Sequence, residues 1–183
     1  MTGKKPLHRF NKEQLRNDLY PMFLKLIKNG FEIEAYILIL STWNFACFRY
    51  ALREFDLSNF IKTMETLEPS FRRLRKEDFK KIDFDKHSRE IKGIFDRLSK
   101  IKGIQKTGAP KLMHLAVPKV FVMWDSYIRK HYGFKKGDSN DYIDFLKLMQ
   151  KQFPNVKPIQ GRTVAKLIDE HNFKTITEPI FKK

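Results

Sequence analysis

Apolar residues recur at helical spacing along most of the chain, and few stretches alternate as strands do. Residues 12–28 and 86–100 each carry one apolar stripe, with basic residues on the opposite face of the second segment. The eight Pro and eight Gly fall mostly between such segments. The pattern predicts an all-α fold. The stripes consist of Leu15, Leu19, Phe23 and Ile27 in the first segment and of Ile91, Ile94, Phe95 and Leu98 in the second.

The predicted helices differ in how they begin and end. Segment 32–54 is too apolar for a surface helix, so we expect a central helix that is broken near Ser41-Thr42. Pro69 should end the helix that begins at residue 58, and Ser139 or Asn140 should cap the helix that runs to Gln152. We expect Pro21 to kink or to start the first helix, and Phe45, Phe48, Tyr50 and Phe55 to lie in the core. The predicted helical segments are 12–28, 32–54, 58–67, a short turn at 78–81, 86–100, 107–116, 124–132, 139–152 and 162–171.

Length and composition limit the class of protein. A chain of 183 residues that is 42% hydrophobic is long enough for one domain, or for two small lobes that share a core. The single cysteine, Cys47, excludes an internal disulfide and a four-cysteine metal site. The longest apolar run is about six residues and MTGKKPLHRF lacks an apolar core, so we expect neither a membrane span nor a signal peptide. The expected location is the cytoplasm.

The charge of the chain indicates a polyanionic partner. The formal net charge is +16, and residues 72–111 contain 14 Lys or Arg against 6 Asp or Glu, which is about half of the excess. Nucleic acid is the favoured partner, with an anionic membrane surface second. The lysine-rich surface of a heat-adapted protein is the alternative explanation.

A short turn between two predicted helices carries candidate phosphate-binding groups. Residues 102–106 form the turn around Gly103, and the second helix begins at Thr107. The N-terminus of that helix offers its dipole and unpaired N–H groups, and Lys102 and Lys106 add positive charge. Gly103 has a simpler explanation as a residue that terminates a helix.

The spacing around this turn resembles the helix-hairpin-helix DNA glycosylase superfamily, which includes endonuclease III and the 8-oxoguanine glycosylases. That pattern has an apolar residue, a Gly-rich turn, an alanine, and an aspartate about sixteen residues after the alanine. Ile101, Gly103, Ala109 and Asp125 occupy these places, and ILSTWNF resembles the helix and loop that enter the DNA in the family. The resemblance covers about residues 32–150.

The resemblance implies a fold and a partner. The fold is a two-lobed, all-helical fold of the HhH-GPD type, with the helix-hairpin-helix at about 90–116. The lobes would be residues 30–100 with the termini, and residues 101–150. The partner is double-stranded DNA that contains a damaged base, bound by a monomer associated with the nucleoid. The expected DNA contacts are Lys102, Gly103, Gln105, Lys106, Thr107 and Gly108.

The resemblance also implies a lysine nucleophile, and here the sequence departs from the family. Gln105 stands in place of the second glycine of the turn, and Thr107 stands in place of the lysine. Lys111 lies one helical turn after Thr107 on the same face, whereas Lys106 points some 100° away. We expect Lys111 to be the displaced nucleophile, with Lys106 as the second candidate. The alternative is that Lys111 contacts a phosphate or only faces solvent.

Asp125 and four further residues complete the candidate site. By the same resemblance, Asp125 would stabilise positive charge that develops on the sugar. Its alternative role is a helix N-cap. Trp43 and Asn44 are candidates for the wedge that fills the gap left by a flipped base, and Trp124 and His114 are candidates for the base pocket. Packing in the core is the alternative for both tryptophans.

The sequence has no HExxH, P-loop, GxGxxG or GxSxG pattern, so we expect no metal and no nucleotide cofactor.

These features predict a base-excision repair enzyme. The expected activity is removal of a damaged base, with oxidised guanine favoured by the resemblance alone, and AP-lyase cleavage through a lysine Schiff base. The first alternative is a helix-hairpin-helix protein that binds DNA without chemistry, which the displaced lysine favours. The second is an RNA-binding or scaffold protein that uses its helical surface.

Overall fold

The computed structural model describes residues 12–159 and 161–182, with side chains from Leu19 onward. The described residues are helical and contain no β-strand, which confirms the all-α prediction. A 3₁₀ turn covers Leu52–Glu54 and a π-helical turn covers Phe173–Thr177. The α-helices are α1 Lys12–Lys28, α2 Glu32–Trp43, α3 Phe45–Ala51, α4 Leu57–Leu74, α5 Ser88–Ser99, α6 Gln105–Ala116, α7 Ser126–His131, α8 Ser139–Gln152, α9 Val164–Asn172 and α10 Glu178–Phe181.

Two sequence predictions concern residues outside this part of the chain. The segment MTGKKPLHRF, for which we expect no signal peptide, is not among the described residues, and neither is the side chain of Leu15.

The division into two lobes stays a prediction. None of the helices in the described ranges is both long and apolar enough to cross a bilayer.

The central apolar segment breaks at Asn44, not at Ser41-Thr42. The hydroxyls of Ser41 and Thr42 donate to the carbonyls of Ile37 and Leu38, both at 2.7 Å, so they are satisfied inside α2 without breaking it. Asn44 leaves helical geometry at φ −116°, ψ 18°, and α3 begins after it. The break turns the chain toward the loop that joins α5 and α6.

Helix α4 continues through Pro69, against the sequence prediction. Its buried positions repeat every three or four residues on both sides of the proline: Phe60, Met64, Leu67, Phe71 and Leu74. Pro69 and Glu65, whose carbonyl loses its intrahelical partner, both lie on the exposed face where water can reach them. Burial of Phe71 and Leu74 therefore outweighs the local cost of the proline.

Several helices differ from the predictions in where they begin or in which residue caps them. Helices α5, α7 and α9 begin two residues later than predicted, and α6 begins at Gln105 instead of Thr107. The cap of α8 is Asp138, whose Oδ1 accepts from the N–H groups of Asn140 and Asp141 at 3.0 Å, so neither Ser139 nor Asn140 caps the helix. Helix α9 begins later than predicted, with Thr163 as its N-cap, and it continues beyond residue 171 through the π-helical turn into α10.

Helices α5 and α6 form a packed pair that is joined by residues 100–104, and α5 also packs against α8. The chain reverses at Gly103, which has φ +89°. A Cβ at this position would lie 2.9 Å from Cβ of Ala51 and 3.3 Å from the ring of Phe48. Glycine is therefore required both for the left-handed backbone and for the close approach of α3.

Candidate functional site

The hairpin turn is fixed by hydrogen bonds from the central segment. Nδ2 of Asn44 donates to the carbonyls of Gly103 and Ile104, at 2.8 and 3.2 Å. Gln105, which replaces the second glycine of the resembling family, keeps a left-handed backbone at φ +54°. A left-handed backbone is uncommon for a residue other than glycine. Asn44 is buried, so its position is that of a residue that braces the turn rather than of a wedge.

Several predicted DNA contacts already have partners within the protein. The N–H groups of Ile104 and Gln105 donate to the carbonyl of Ile101, at 3.1 and 3.4 Å. These two donors are therefore less available to bind a phosphate. Lys102 forms an exposed ion pair with Glu54. Lys102, Gln105 and Lys106 are exposed, Thr107 is half-buried, and Gly103 and Gly108 are buried.

Lys106 points away from the interior of the protein. Its Nζ donates to the carbonyl of Lys136 at 2.8 Å, in the loop before α8. Its own carbonyl lacks the usual helical partner, because the residue four positions later is Pro110, which has no N–H. The indole Nε1 of Trp124 donates to this carbonyl at 2.9 Å instead. Trp124 therefore has a structural role that its sequence position did not reveal.

Lys111 and Asp125 line the same cavity, which has a volume of about 360 Å³. Lys111 is only 7% exposed although it lies on a helix of a very basic protein. The rest of the wall is largely apolar and aromatic and includes both tryptophans: Leu19, Thr42, Trp43, Met123, Trp124, Ile128, Asp169 and Phe173. A buried lysine and a carboxylate in a cavity of this size resemble a binding site more than a solvated surface.

Asp125 is held by three hydrogen bonds. Its Oδ1 accepts from the N–H groups of Tyr127 and Ile128, both at 2.8 Å, which makes it the N-cap of α7. Its Oδ2 accepts from the hydroxyl of Thr177 at 2.7 Å. The N-cap alternative is therefore correct, and the same side chain is also part of the cavity wall.

A buried polar cluster adjoins the cavity. Nζ of Lys166 lies 2.6 Å from Oδ2 of Asp169, and it lies 4.6 Å and 4.9 Å from the ring centres of Trp43 and Tyr20. The Tyr20 ring stacks on that of Trp43, with 6.2 Å between ring centres. Burial, followed by the charges of Asp169 and Glu170, raises the pKa of Tyr20 well above its ordinary value. Trp43 and Asp169 thus belong both to the cavity wall and to this cluster.

His114 lies in the protein core rather than in the cavity. Its Nδ1 donates to the carbonyl of Phe121 at 2.6 Å, so Nε2 is the acceptor for the hydroxyl of Tyr20 at 2.9 Å. Burial, followed by the charge of Lys166, lowers the pKa of His114 to about 4. The histidine is therefore neutral at pH 7, and its position gives no support to a role in a base pocket.

The structure adds residues that the sequence did not single out. Asp169 and Phe173 reach the cavity from the C-terminal helices, more than forty positions after Asp125.

Phe45 and Tyr50, expected in the core, are instead 53% and 74% exposed. The guanidinium of Arg49 lies 5.4 Å and 4.4 Å from their ring centres. We call Phe45, Arg49 and Tyr50 the aromatic patch.

A second, larger concavity lies beside the hairpin. This groove has a volume of about 490 Å³ and is lined mainly by exposed polar side chains, among them Lys62, Arg97, Lys100 and Lys102, together with Glu54 and Asp56. Charged side chains at the rim of a groove suit a sugar–phosphate backbone better than an isolated base. The cavity at Lys111, which combines a buried lysine with a carboxylate, is therefore the better candidate for chemistry.

Comparisons of the chain with protein-family models, with curated proteins and with solved structures gave no match.

Proposed function

We propose that this protein is a DNA glycosylase that excises a damaged base at the cavity between Lys111 and Asp125. The observation that carries the proposal is that these two side chains, fourteen positions apart in sequence, line the same cavity. A buried amine and a carboxylate are the two groups that base excision with strand cleavage requires.

The Lys111 amine and the Asp125 carboxylate each have one role in the proposed reaction. This step requires the amine of Lys111 without its extra proton: the amine attacks C1′ of the deoxyribose, and the bond between C1′ and the base breaks. The base leaves with that electron pair and takes up a proton, while Asp125 stabilises the positive charge on the sugar. Nζ then loses a proton, and the C1′–O4′ bond breaks with its electron pair going to O4′, which takes up a proton; this gives a protonated Schiff base between Nζ and C1′. Loss of a proton from C2′ then expels the 3′ phosphate with the electron pair of its C–O bond, which cleaves the strand.

The surface around the cavity supports DNA as the substrate. Lys111 lies six residues after the start of α6, or about 9 Å along the helix axis from the hairpin turn. This separation suits a flipped nucleotide in the cavity with a neighbouring phosphate at Lys102 and the groove beyond it. The exposed aromatic patch follows directly after Asn44, so Phe45 or Tyr50 replaces Trp43 and Asn44 as the proposed wedge.

Borohydride trapping tests the proposal. Duplexes with a set of damaged bases, and a duplex with an abasic site, are incubated with the protein and borohydride, which reduces a Schiff base to a stable covalent link. We expect the wild-type protein to be trapped and Lys111→Ala not to be. Lys106→Ala is the matched control, because this lysine lies on the same helix but donates to the Lys136 carbonyl on the surface.

Three other results would change the assignment. Loss of trapping with Lys106→Ala instead would move the nucleophile to the turn. Release of base without trapping would indicate a monofunctional enzyme that uses water, and Asp125→Asn should then abolish release. If the protein binds every duplex but neither releases a base nor is trapped, the proposed enzymatic activity is wrong.

A non-catalytic DNA-binding protein is the second candidate. The three hydrogen bonds to Asp125 favour it, because they give this carboxylate a sufficient structural reason to be present. Under this alternative, Lys102→Ala weakens DNA binding, whereas Asp125→Asn changes only the free energy of unfolding.

A further inference from the structure

A third concavity, with a volume of about 430 Å³, continues the groove beside the hairpin, and Arg97 lines both of them. The groove is lined from residues 59–66 of α4 and from residues 97–102 at the end of α5. The third concavity is lined from residues 67–73 of α4 and from residues 86–97 at the start of α5. The two helices are therefore antiparallel, and the two concavities lie end to end between them. We call this surface the α4–α5 valley.

Basic side chains line both sides of the α4–α5 valley, and most of them have no carboxylate beside them. Glu54 forms an ion pair with Lys102, and Glu90 forms one with Arg73. The third carboxylate of the valley, Asp56, is the N-cap of α4. The basic residues of the valley that form no ion pair within the described part of the chain are Lys62, Lys86, Arg89, Arg97 and Lys100, and all of them are exposed.

This concentration of unpaired charge distinguishes the valley from a surface that serves stability. Like charges on one surface repel each other in the folded state. On the lysine-rich surface of a heat-adapted protein, the charges are organised into ion-pair networks, so each cation would have a carboxylate beside it. Cations that face one valley without carboxylates instead indicate an anionic ligand.

A glycine in the middle of the valley is the second observation that indicates a ligand. Gly93 lies in the interior of α5, where glycine makes a helix less stable than alanine does. No neighbour requires it, because a Cβ at this position would have nothing within 4 Å. Gly93 does line the valley, so the absence of a side chain leaves space for the close approach of a ligand backbone.

The length and the lining of the valley suit one strand of DNA. Arg89 and Lys100 are eleven positions apart, or about 16 Å along α5, which is the rise of about five nucleotides in one strand of B-DNA. The hydroxyls of Thr63 and Thr66 donate to carbonyls of their own helix, so their protons are not available to the edge of a base. Lys102 of the hairpin turn lines the valley at one end. A strand at the hairpin can therefore continue into the valley through contacts to its backbone.

We propose that the α4–α5 valley binds the sugar–phosphate backbone of DNA without sequence preference, over about five nucleotides beyond the hairpin. The choice of DNA as the occupant rests on the proposed function, whereas the charge and the space of the valley do not. DNA then contacts the protein along α4 and α5 as well as at the hairpin and the cavity.

The salt dependence of DNA binding tests this proposal. The dissociation constant of an undamaged duplex is measured over a range of salt concentrations, for the wild-type protein and for the triple variant Lys62→Gln/Arg89→Gln/Arg97→Gln. Each phosphate contact contributes about 0.9 to the slope of log affinity against log salt concentration. Loss of the three contacts should lower the slope by about two to three, and it should weaken binding at about 0.1 M salt by about tenfold or more.

A second triple variant is the matched control. Lys25→Gln/Lys28→Gln/Lys151→Gln removes the same charge from exposed positions of α1 and α8, outside the valley. The control should lower the slope by less than about one, the value of a single contact. Equal losses in the two variants would overturn the proposal, because only the net charge would then matter. An unchanged slope in the valley variant would overturn it as well.

Gly93→Gln tests the valley without a change of charge. Its side chain would occupy the space that the strand is proposed to approach, so DNA binding should weaken severalfold. The melting temperature should not fall, since glutamine has a higher helix propensity than glycine. Unchanged affinity in this variant would overturn the proposed path of the strand along α5.

An RNA duplex of the same length separates the two kinds of nucleic acid. Tighter binding of RNA than of DNA, with the loss in the valley variant confined to RNA, would overturn DNA as the occupant. Equal or tighter binding of DNA, with the predicted loss in the valley variant, supports the proposal.

Failure of the proposed function gives a different result. If no base is released and an abasic site is not trapped, but the valley variant still loses DNA affinity and slope, the valley is upheld and the glycosylase is wrong. If the wild-type protein is trapped and the valley variant binds DNA with an unchanged slope, the glycosylase is upheld and the valley is wrong.

Discussion

Thr177 donates a hydrogen bond of 2.7 Å to Oδ2 of Asp125, across 52 positions of sequence. Thr177 is buried at the end of the π-helical turn, so this bond ties the C-terminal segment to the cavity. The N-cap bonds fix one oxygen of Asp125, and Thr177 fixes the other. Thr177 is thus a positioning residue for the proposed reaction.

Removal of the Thr177 hydroxyl should slow base release more than it weakens DNA binding. A hydrogen bond to a charged group is worth about 1.5–3 kcal/mol, so Thr177→Val should lower kcat by about tenfold or more. KM should change little, because Thr177 is proposed to contact Asp125 and not the substrate. Thr177→Ser keeps the hydroxyl and should restore most of kcat. Equal losses in the valine and serine variants would mean that packing, and not the hydrogen bond, matters.

Loss of the aromatic patch should impair activity on duplex DNA without loss of stability. Tyr50 and Phe45 are largely exposed, so Phe45→Ala and Tyr50→Ala should change the melting temperature by little. If either ring acts as the wedge, its removal should lower base release from a duplex by about tenfold, since a base–aromatic contact is worth about 1–3 kcal/mol. Release from single-stranded DNA is the control, because no partner base has to be replaced there. Leu57→Ala, at another exposed apolar position, should leave both rates unchanged.

Trp124 and Pro110 should be energetically coupled. Trp124→Phe leaves the carbonyl of Lys106 without its indole donor, which should cost about 1–3 kcal/mol in the free energy of unfolding. Pro110→Ala supplies a backbone N–H four residues after Lys106, so the same tryptophan substitution should cost less in that background. A double-mutant cycle by urea unfolding measures the difference. Additive effects would show that the indole serves packing alone.

Two helical glycines should respond in opposite directions to alanine. At Gly108 a Cβ would lie 2.8 Å from Nδ2 of Asn44 and 3.1 Å from Ile104, so Gly108→Ala should disturb the bonds that brace the hairpin and destabilise by about 1–3 kcal/mol. At Gly93, in α5, nothing lies within 4 Å of the new Cβ. Gly93→Ala should stabilise by about 0.5–1 kcal/mol through helix propensity. Thermal unfolding of both variants checks the signs, and destabilisation by Gly93→Ala would contradict the packing described.

Acid should destabilise the protein through His114. Its pKa is lowered to about 4 in the folded chain, against 6.5 for the unperturbed side chain. Between these values the unfolded chain binds a proton that the folded chain does not, so stability present above about pH 6.5 is lost as the pH falls toward 4. The loss should reach up to about 3 kcal/mol.

Urea unfolding at pH 7.5 and pH 4.5 measures this effect. The difference between the two pH values should be smaller in His114→Gln, whose side chain does not titrate, even if the variant is less stable at both. The same pH difference in both proteins would mean that other groups cause the acid sensitivity.

Local patterns were sufficient to predict the helices. The stripes over residues 12–28 and 86–100 depend only on spacing along the chain, and the helical class follows from them. The ends of the helices were less predictable, because they depend on distant packing. Pro69 failed to end α4 since the residues beyond it are buried, and the central segment broke at Asn44, whose amide bonds to the turn at Gly103.

The sequence by itself determined the hairpin, the basic charge and the spacing that pairs Lys111 with Asp125. Only the tertiary structure decided what surrounds them. Asp169, Phe173 and Thr177 come from a C-terminal segment without a recognisable motif, and they reach the cavity because α9 and the π-helical turn pack there. Likewise, composition could not tell that Tyr50 faces outward while His114 is buried. Periodicity reports which residues share a face of a helix, but the partner of each face is set by contacts between segments far apart in the chain.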